Sequence, residues 1–374
     1  MLNPSHNIWS NRLNKTRMKY FPLLLIFLSL LAGCNSGDEP KPEPPEPMYF
    51  PVPNDPAWET KSFDELEWNE AAADDLKEYL IGANTKSFMI LVNGRIVMEE
   101  YFAGHASTTT WKWNSAGKTL VATTTGIAQQ EGLLSIHDPV SDLLGTGWTS
   151  MAADKEALIT TRHLLTMTSG LDDDSELVIK ANLTYRADAG TRWSYSNVFQ
   201  ILMDEVAAAS DQEFSTYFDS RLKNKIGMDG FWDNGLIFKI YNSNTRSMAR
   251  FGILALNKGA WNGEQIINEA FFTESTTTSQ GINPSYGYLW WLNGKSTYMV
   301  PGEQTVFDGP LVPNAPADMF AAMGAADQRI YVVPSMNMVV VRMGEASDPD
   351  NPSFAVSGFD NKLWEKINLV INRP

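Results

Sequence analysis

W-K-W-N-S-A-G-K-T-L-V-A-T-T-T-G-I-A, residues 111–128, is a short aromatic strand end running into an apolar helix. Polar interruptions are few from Lys118 to Ala128, so the spacing predicts a largely buried helix, with Asn114 as its N-cap. Ser115 and Lys118 stand three apart, which on a helix puts both side chains on one face with Cβ atoms roughly 5–6 Å apart. A serine hydroxyl needs a base to become a nucleophile, and a lysine can be that base only if it sheds its proton near neutral pH. Burial and the positive end of a helix both disfavour an ammonium, so this location pushes Lys118 toward that role.

Working outward, S-F-M-I-L-V and R-I-V-M-E-E-Y-F upstream are two strands joined by Asn93-Gly94, a strong hairpin signal. Before them, Phe63 to Leu80 has helical spacing (Leu66, Ala71, Leu76, Leu80). Downstream, the chain turns around Asp138-Pro139. Residues 159–171 read as an amphipathic helix with a threonine cap, stopped by Gly170. A polar loop from Asp172 to Ala189 leads to G-T-R-W-S-Y-S-N, a tight turn entering another buried helix, and helical segments are expected to about residue 257. Then the pattern changes. Residues 286–294, 318–324, 329–334 and 338–344 read as strands, with a turn at Pro334-Ser335-Met336-Asn337, and Asn361 to Ile371 closes as an amphipathic helix.

The layout is α+β: an antiparallel sheet flanked by helices and shared by both ends of the chain (57–114 and 258–374), plus an all-helical lobe (115–257). Ahead of it, Met18 is a candidate true start. The apolar run after Lys19 is too short to span a bilayer and fits a signal-peptide core. It ends at Leu31-Ala32-Gly33-Cys34, which resembles the lipobox of bacterial lipoproteins. That resemblance implies cleavage of 1–33, lipid on Cys34 and an outer-membrane anchor in the cell envelope; the alternative is a plain secretory signal. Cys34 is the only cysteine, so no intrachain disulfide is available. Residues 34–56 are rich in proline and acid and are expected to form an extended tether to a domain spanning 57–374. The net charge of −15 becomes more negative once the basic leader is removed. That argues against nucleic acid or anionic lipid as partners.

Ser-x-x-Lys recurs as Ser220-Arg221-Leu222-Lys223, on a charged helix where it is accidental. A second constellation is Tyr195-Ser196-Asn197. A tyrosine beside a lysine can have its pKa lowered and share the base role, and an amide can hold the lysine or a substrate carbonyl. Ser335-Met336-Asn337 reads as turn chemistry. Gly117-Lys118-Thr119 mimics the end of a P-loop, but the first glycine would fall at Lys112. His105, His137 and His163 show no paired spacing that suggests a metal, and no cofactor is expected; His163 reads as a packed or capping residue. Trp111, Trp113, Trp193, Trp290 and Trp291 are either core or the lining of an aromatic pocket beside Ser115.

Ser115 with Lys118, followed by Tyr195-Ser196-Asn197, resembles the serine β-lactamase and penicillin-binding superfamily. The branch is the one holding class C β-lactamases, DD-peptidases, esterases and 6-aminohexanoate-dimer hydrolases. I-T-T-R-H-L-L-T-M-T-S-G-L, A-G-T-R-W-S-Y-S-N and Y-G-Y-L-W-W are similar to that family's phrasing, and the resemblance covers roughly residues 65–370. It implies Ser115 as acylated nucleophile, Lys118 as proton acceptor, Tyr195 sharing the acid–base work and Asn197 positioning the pair. The family's third motif, Lys-Thr-Gly or His-x-Gly, falls at Ala322-Met323-Gly324-Ala325. The glycine survives there and the cation and hydroxyl do not. Amides of Ser115 and Ala325, beside Gly324, could still form an oxyanion hole. The missing cation favours ester or neutral-amide substrates over β-lactams and carboxypeptidase substrates. The expected partner is thus a small or peptide-like acyl compound. The alternatives are a non-catalytic peptidoglycan- or glycan-binding protein on the same fold, and a DD-carboxypeptidase or β-lactamase.

Overall fold

A computed structural model describes residues 46–234, 239–351 and 356–373. Cys34 and the leader lie outside the described residues. Helix α1 (Ala71–Gly82) precedes the hairpin β1 (Thr85–Val92) and β2 (Arg95–Tyr101), whose turn residues Asn93 and Gly94 have φ of 49° and 79°. β3 (Trp111–Lys112) and α2 (Lys118–Gln130) follow. Next come α3 (Thr161–Leu165), α4 (Gln200–Ser210), β4 (Phe231–Asn234), β5 (Lys239–Ser243) and α5 (Thr245–Leu256). The chain closes with β6 (Trp291–Leu292), β7 (Phe320–Gly324), β8 (Gln328–Val333), β9 (Met338–Gly344) and α6 (Gly358–Val370).

Six strands form one antiparallel sheet in the order β2-β1-β9-β8-β7-β6, so the first hairpin pairs directly with the last strand. β8 and β9 are buried along their whole length, as expected when helices cover both faces. Side chains alternate across a strand. Tyr331 of β8 turns to α6, bonding Asp360 at 2.6 Å and meeting Trp364 edge-on. Its neighbour Ile330, with Val339, lies against Gly252 of α5. The chain is thus α+β, with α1 and α6 packed together behind the sheet and α5 on the face where β7 meets the 114–117 turn.

Five sequence expectations change. The helical spacing from Phe63 is broken because Glu67 takes a left-handed conformation (φ 55°), leaving a 3-10 turn at Asp64–Leu66 before α1. The 159–171 helix stops after one turn: Met167 has φ 57°, and Thr168 and Ser194 exchange backbone bonds with that segment instead. Helical segments do reach Leu256, but strand interrupts them. β4 and β5 pair antiparallel and take up β3 in a small sheet ordered β3-β5-β4. Of 286–294 only Trp291–Leu292 is strand, because Leu289 turns at φ 60°. The expected tether is also packed over its described part: Tyr49 bonds to Asn93, and Pro51 and Val52 accept from buried Arg250.

Candidate active site

Ser115 is placed by three anchors. β3 pairs with β5, Trp113 is buried edge-on against Tyr241 with its indole donating to Ser243 Oγ at 2.8 Å, and the chain then coils through a 3-10 turn, Asn114–Gly117. Asn114 is not a cap. It sits at φ 49° and its amide donates to the Ala325 carbonyl at 2.7 Å, tying the turn to the end of β7. Helix α2 therefore starts at Lys118 rather than at an asparagine cap, and is buried through Ala128.

Lys118 is 2% exposed and its Nζ lies 2.8 Å from Ser115 Oγ. Burial drives its pKa down to about 7, opposed only in part by the charge of Glu176. Among the described residues no carboxylate pairs with it; its Nζ sits over the rings of Phe199 and Tyr195, at 4.4 and 4.8 Å. The nitrogen is held where a proton is poorly solvated, one hydrogen bond from the hydroxyl.

Tyr195 comes from the turn before α4, where Ser196 Oγ accepts from Val198 N. The sequence expectation was a lowered phenol pKa. Burial instead raises it well above the ordinary value, with the nearby Ser115 hydroxyl and the more remote Arg329 charge pulling only partly the other way. The phenol is therefore protonated at neutral pH. Asn197 lines the same cleft, but its amide donates to the Glu176 carbonyl at 3.2 Å rather than to Lys118, so it fixes the 172–189 loop instead of the reactive pair. His163 is a cap, as its position suggested: it exchanges side-chain and backbone bonds with Thr160.

Across from Ser115, the end of β7 comes as close as a backbone can. A Cβ on Gly324 would lie 2.4 Å from Trp113 O, 2.8 Å from Ala116 N and 3.1 Å from Ser115 N. Among the described residues, neither the Ser115 nor the Ala325 amide has a hydrogen-bond acceptor. Two unspent donors beside a nucleophilic oxygen can receive developing negative charge.

The cleft, about 270 Å³, is lined by Ser115, Lys118, Tyr195, Asn197, Phe199 and Ala325, with Asp173, Glu176, Lys239, Pro301 and Gly302 among the others. Asp173 is neutralised by Arg192 at 2.8 Å and by Ser194. Asp172 and Asp174 share Arg186, which already occupies the one grouping of carboxylates among the described residues close enough for a cation. The tryptophans do not line the cleft. Trp113, Trp193, Trp290 and Trp291 are at most 1% exposed and form the core behind it, Trp193 and Trp291 packing against Tyr195. Phe199, Glu176 and Lys239 carried no sequence signal of their own. The polar 172–189 loop was visible, but no spacing rule says that a loop folds over a distant serine.

The sequence pattern of the β-lactamase family matches residues 76–355. A relative in Alkalihalophilus pseudofirmus, an uncharacterized protein, is 24% identical over 302 residues, covering 70% of this chain and 84% of its own length. Among solved structures, a family VIII carboxylesterase superposes with a TM-score of 0.63 at 15% identity, covering 83% of this chain and 98% of its own. A penicillin-binding protein homolog from Caulobacter crescentus gives 0.62 at 13%, covering 79% and 96%. A β-lactamase from Mycobacterium bovis gives 0.58 at 19%, covering 79% and 99%.

Proposed function

Since the chain belongs to the β-lactamase family, we propose that it is a serine hydrolase cleaving an ester or neutral amide through an acyl-enzyme on Ser115. The observation that carries this is the buried Lys118, 2.8 Å from Ser115 Oγ and with a pKa near 7. A lysine left without a counter-charge in the interior costs stability, and a base role explains its retention.

In this reading neutral Lys118 accepts the Ser115 proton as Oγ bonds to the acyl carbon. The carbonyl oxygen, now negative, is received by the amides of Ser115 and Ala325. Tyr195, a protonated phenol at neutral pH, gives its proton to the leaving oxygen or nitrogen and regains one from Lys118. Water then attacks the acyl-enzyme by the same route in reverse, releasing acid and Ser115. Asn197 keeps the acidic loop against the cleft wall. A fluorophosphonate probe followed by intact-mass measurement tests the nucleophile: one adduct is expected on the wild type and none on Ser115→Ala. An unlabelled wild type would instead support a binding protein on this fold.

The end of β7 offers Ala322 where the resembling branch places a cation, and of the other charged groups lining the cleft Glu176 offsets Lys239. A substrate carboxylate would find a poor seat. A neutral short-chain p-nitrophenyl ester is expected to exceed nitrocefin in kcat/KM by about 100-fold or more, the worth of one or two charge-assisted bonds. Equal efficiency on the two would remove the neutral-substrate assignment.

A further inference from the structure

The carbonyl of Gly324 and the amide of Ala325 belong to one planar peptide unit, so whatever grips the carbonyl aims the amide. The grip comes from behind the sheet. Gln328 pairs with Gly324 across β7 and β8, and Arg329 pairs with Met323. Because faces alternate, the Gly324 Cβ direction meets the Ser115 turn while the Arg329 side chain leaves on the opposite face, toward α6.

There the Arg329 guanidinium is fully buried, and each of its nitrogens is engaged. Nη1 donates to the Gly324 carbonyl at 2.8 Å and to that of Gln328 at 3.1 Å. Nε and Nη2 clasp the two oxygens of Asp360 at 2.6 and 3.1 Å, and Nη2 reaches Asp327 at 3.0 Å. The following carbonyl, that of Ala325, is held by Asn114 at 2.7 Å and Gln328 at 3.4 Å. This turn is not a relaxed one. Ala326 and Asp327, neither of them glycine, have φ of 56° and 58° in succession, a conformation that persists only where surroundings over-determine it. Arg342 completes the restraint by donating to the Ala326 and Asp327 carbonyls at 2.8 and 3.1 Å.

We propose that Arg329, seated in the fork of Asp360, is the positioning residue of the oxyanion hole: it fixes the Gly324–Ala325 peptide so that the Ala325 amide points at the acyl oxygen of a substrate on Ser115. The inference rests on the reading of Ser115 as nucleophile. A buried arginine–carboxylate pair is a poor device for stability alone, since apolar replacements often do as well. Here the pair spends a charge-assisted bond on the one peptide whose other end faces the reacting atom. A planar fork can span Asp360 and Gly324 together; an ammonium cannot.

The test pairs an oxygen ester with its thionoester, because an aligned hole discriminates against the longer, weaker-accepting sulfur. Arg329→Lys is expected to lower kcat on the oxygen ester by about 10²-fold, comparable to losing one donor, with KM nearly unchanged. The oxygen-to-sulfur rate ratio should fall by about tenfold or more, a readout that a purely structural role would not move. If Arg329→Lys does not fold, Asp360→Asn leaves the guanidinium in place but loosens its seat, and the ratio should fall in the same direction. A folded variant with the wild-type ratio overturns the proposal. Fluorophosphonate labelling of the wild type separates the two readings: no adduct defeats the hydrolase assignment, whereas an adduct with an unmoved ratio defeats only the role of Arg329.

Discussion

Lys118→Met is expected to lower kcat by about 10²- to 10⁴-fold, the usual worth of a positioned general base, and at the same time to make the protein more stable. Both effects follow from one fact, the displacement of the lysine pKa from 10.5 to about 7 by burial. For activity the sign is direct. The competent form is the neutral amine, so kcat/KM should rise about tenfold per pH unit below 7 and level off above it. For stability, between pH 7 and 10.5 the unfolded chain binds a proton that the folded chain does not, so stability rises with pH across that window. Below pH 7 the whole cost is present, up to about 5 kcal/mol from 1.36 kcal/mol per unit. Methionine fills the same space without that cost, and a gain of several kcal/mol would raise Tm by roughly 5 °C or more. The opposing group is Glu205 on α4, buried with Oε1 bonded to Thr161 and its pKa raised to about 7. Its folded form holds a proton that the unfolded chain loses above about 4.5, so its contribution declines from there to pH 7. In Lys118→Met that decline should remain while the rise above pH 7 weakens. A flat pH–rate profile from 5 to 9, or a methionine variant keeping a tenth of wild-type kcat, would remove Lys118 from the base role.

Ser115 and Lys118 could be paired without coordinates because one turn of helix brings residues three apart together, whereas Tyr195 joined them only through the family resemblance; the structure brings all three to one cleft. The β1–β2 hairpin and the last two strands were equally plain, since alternation and Asn93-Gly94 are local signals. What was misread is non-local. Asn114 has the composition of a cap, but its amide is drawn across to Ala325, more than two hundred residues away in the chain. Tyr195 looks like a phenol that a lysine would acidify, yet the neighbouring lysine is itself neutralised by burial, leaving desolvation as the larger effect on both groups. Trp113, Trp193, Trp290 and Trp291 proved to be the packing behind the cleft, which periodicity alone cannot tell from its lining. β5 was not read as strand for the same kind of reason: Asn242 and Ser243 find their partners at Lys112 and Trp111, far back in the chain.

Gly324→Ala, a single methyl group, is expected to cost about 10²-fold in kcat and about 1–3 kcal/mol of stability. The glycine is not there for its backbone freedom, because its φ lies outside the left-handed region. It is there for space. The added carbon would stand 2.4 Å from Trp113 O, 2.8 Å from Ala116 N and 3.1 Å from Ser115 N, all main-chain atoms with no rotamer to yield. Something must shift, and the choices are few. The Ser115 turn is pinned by Trp113 to Ser243 and by Asn114 to Ala325, while β7 is pinned by Arg329 to Asp360. Strand and turn therefore separate along the line between Ser115 N and Ala325 N, which widens the gap between the two proposed oxyanion donors. Displacing a reacting group by about 1 Å is enough to lose 10²-fold. Gly281→Ala is the control, since a Cβ there meets nothing within 4 Å, and it should leave both rate and Tm unchanged. KM for a neutral ester should move little in Gly324→Ala, because the cleft walls formed by Tyr195, Phe199 and Asn197 are untouched. Full activity with an unchanged melting temperature would mean that the strand and the Ser115 turn are not held as tightly as their distances require, and would remove the geometric basis for an oxyanion hole between them.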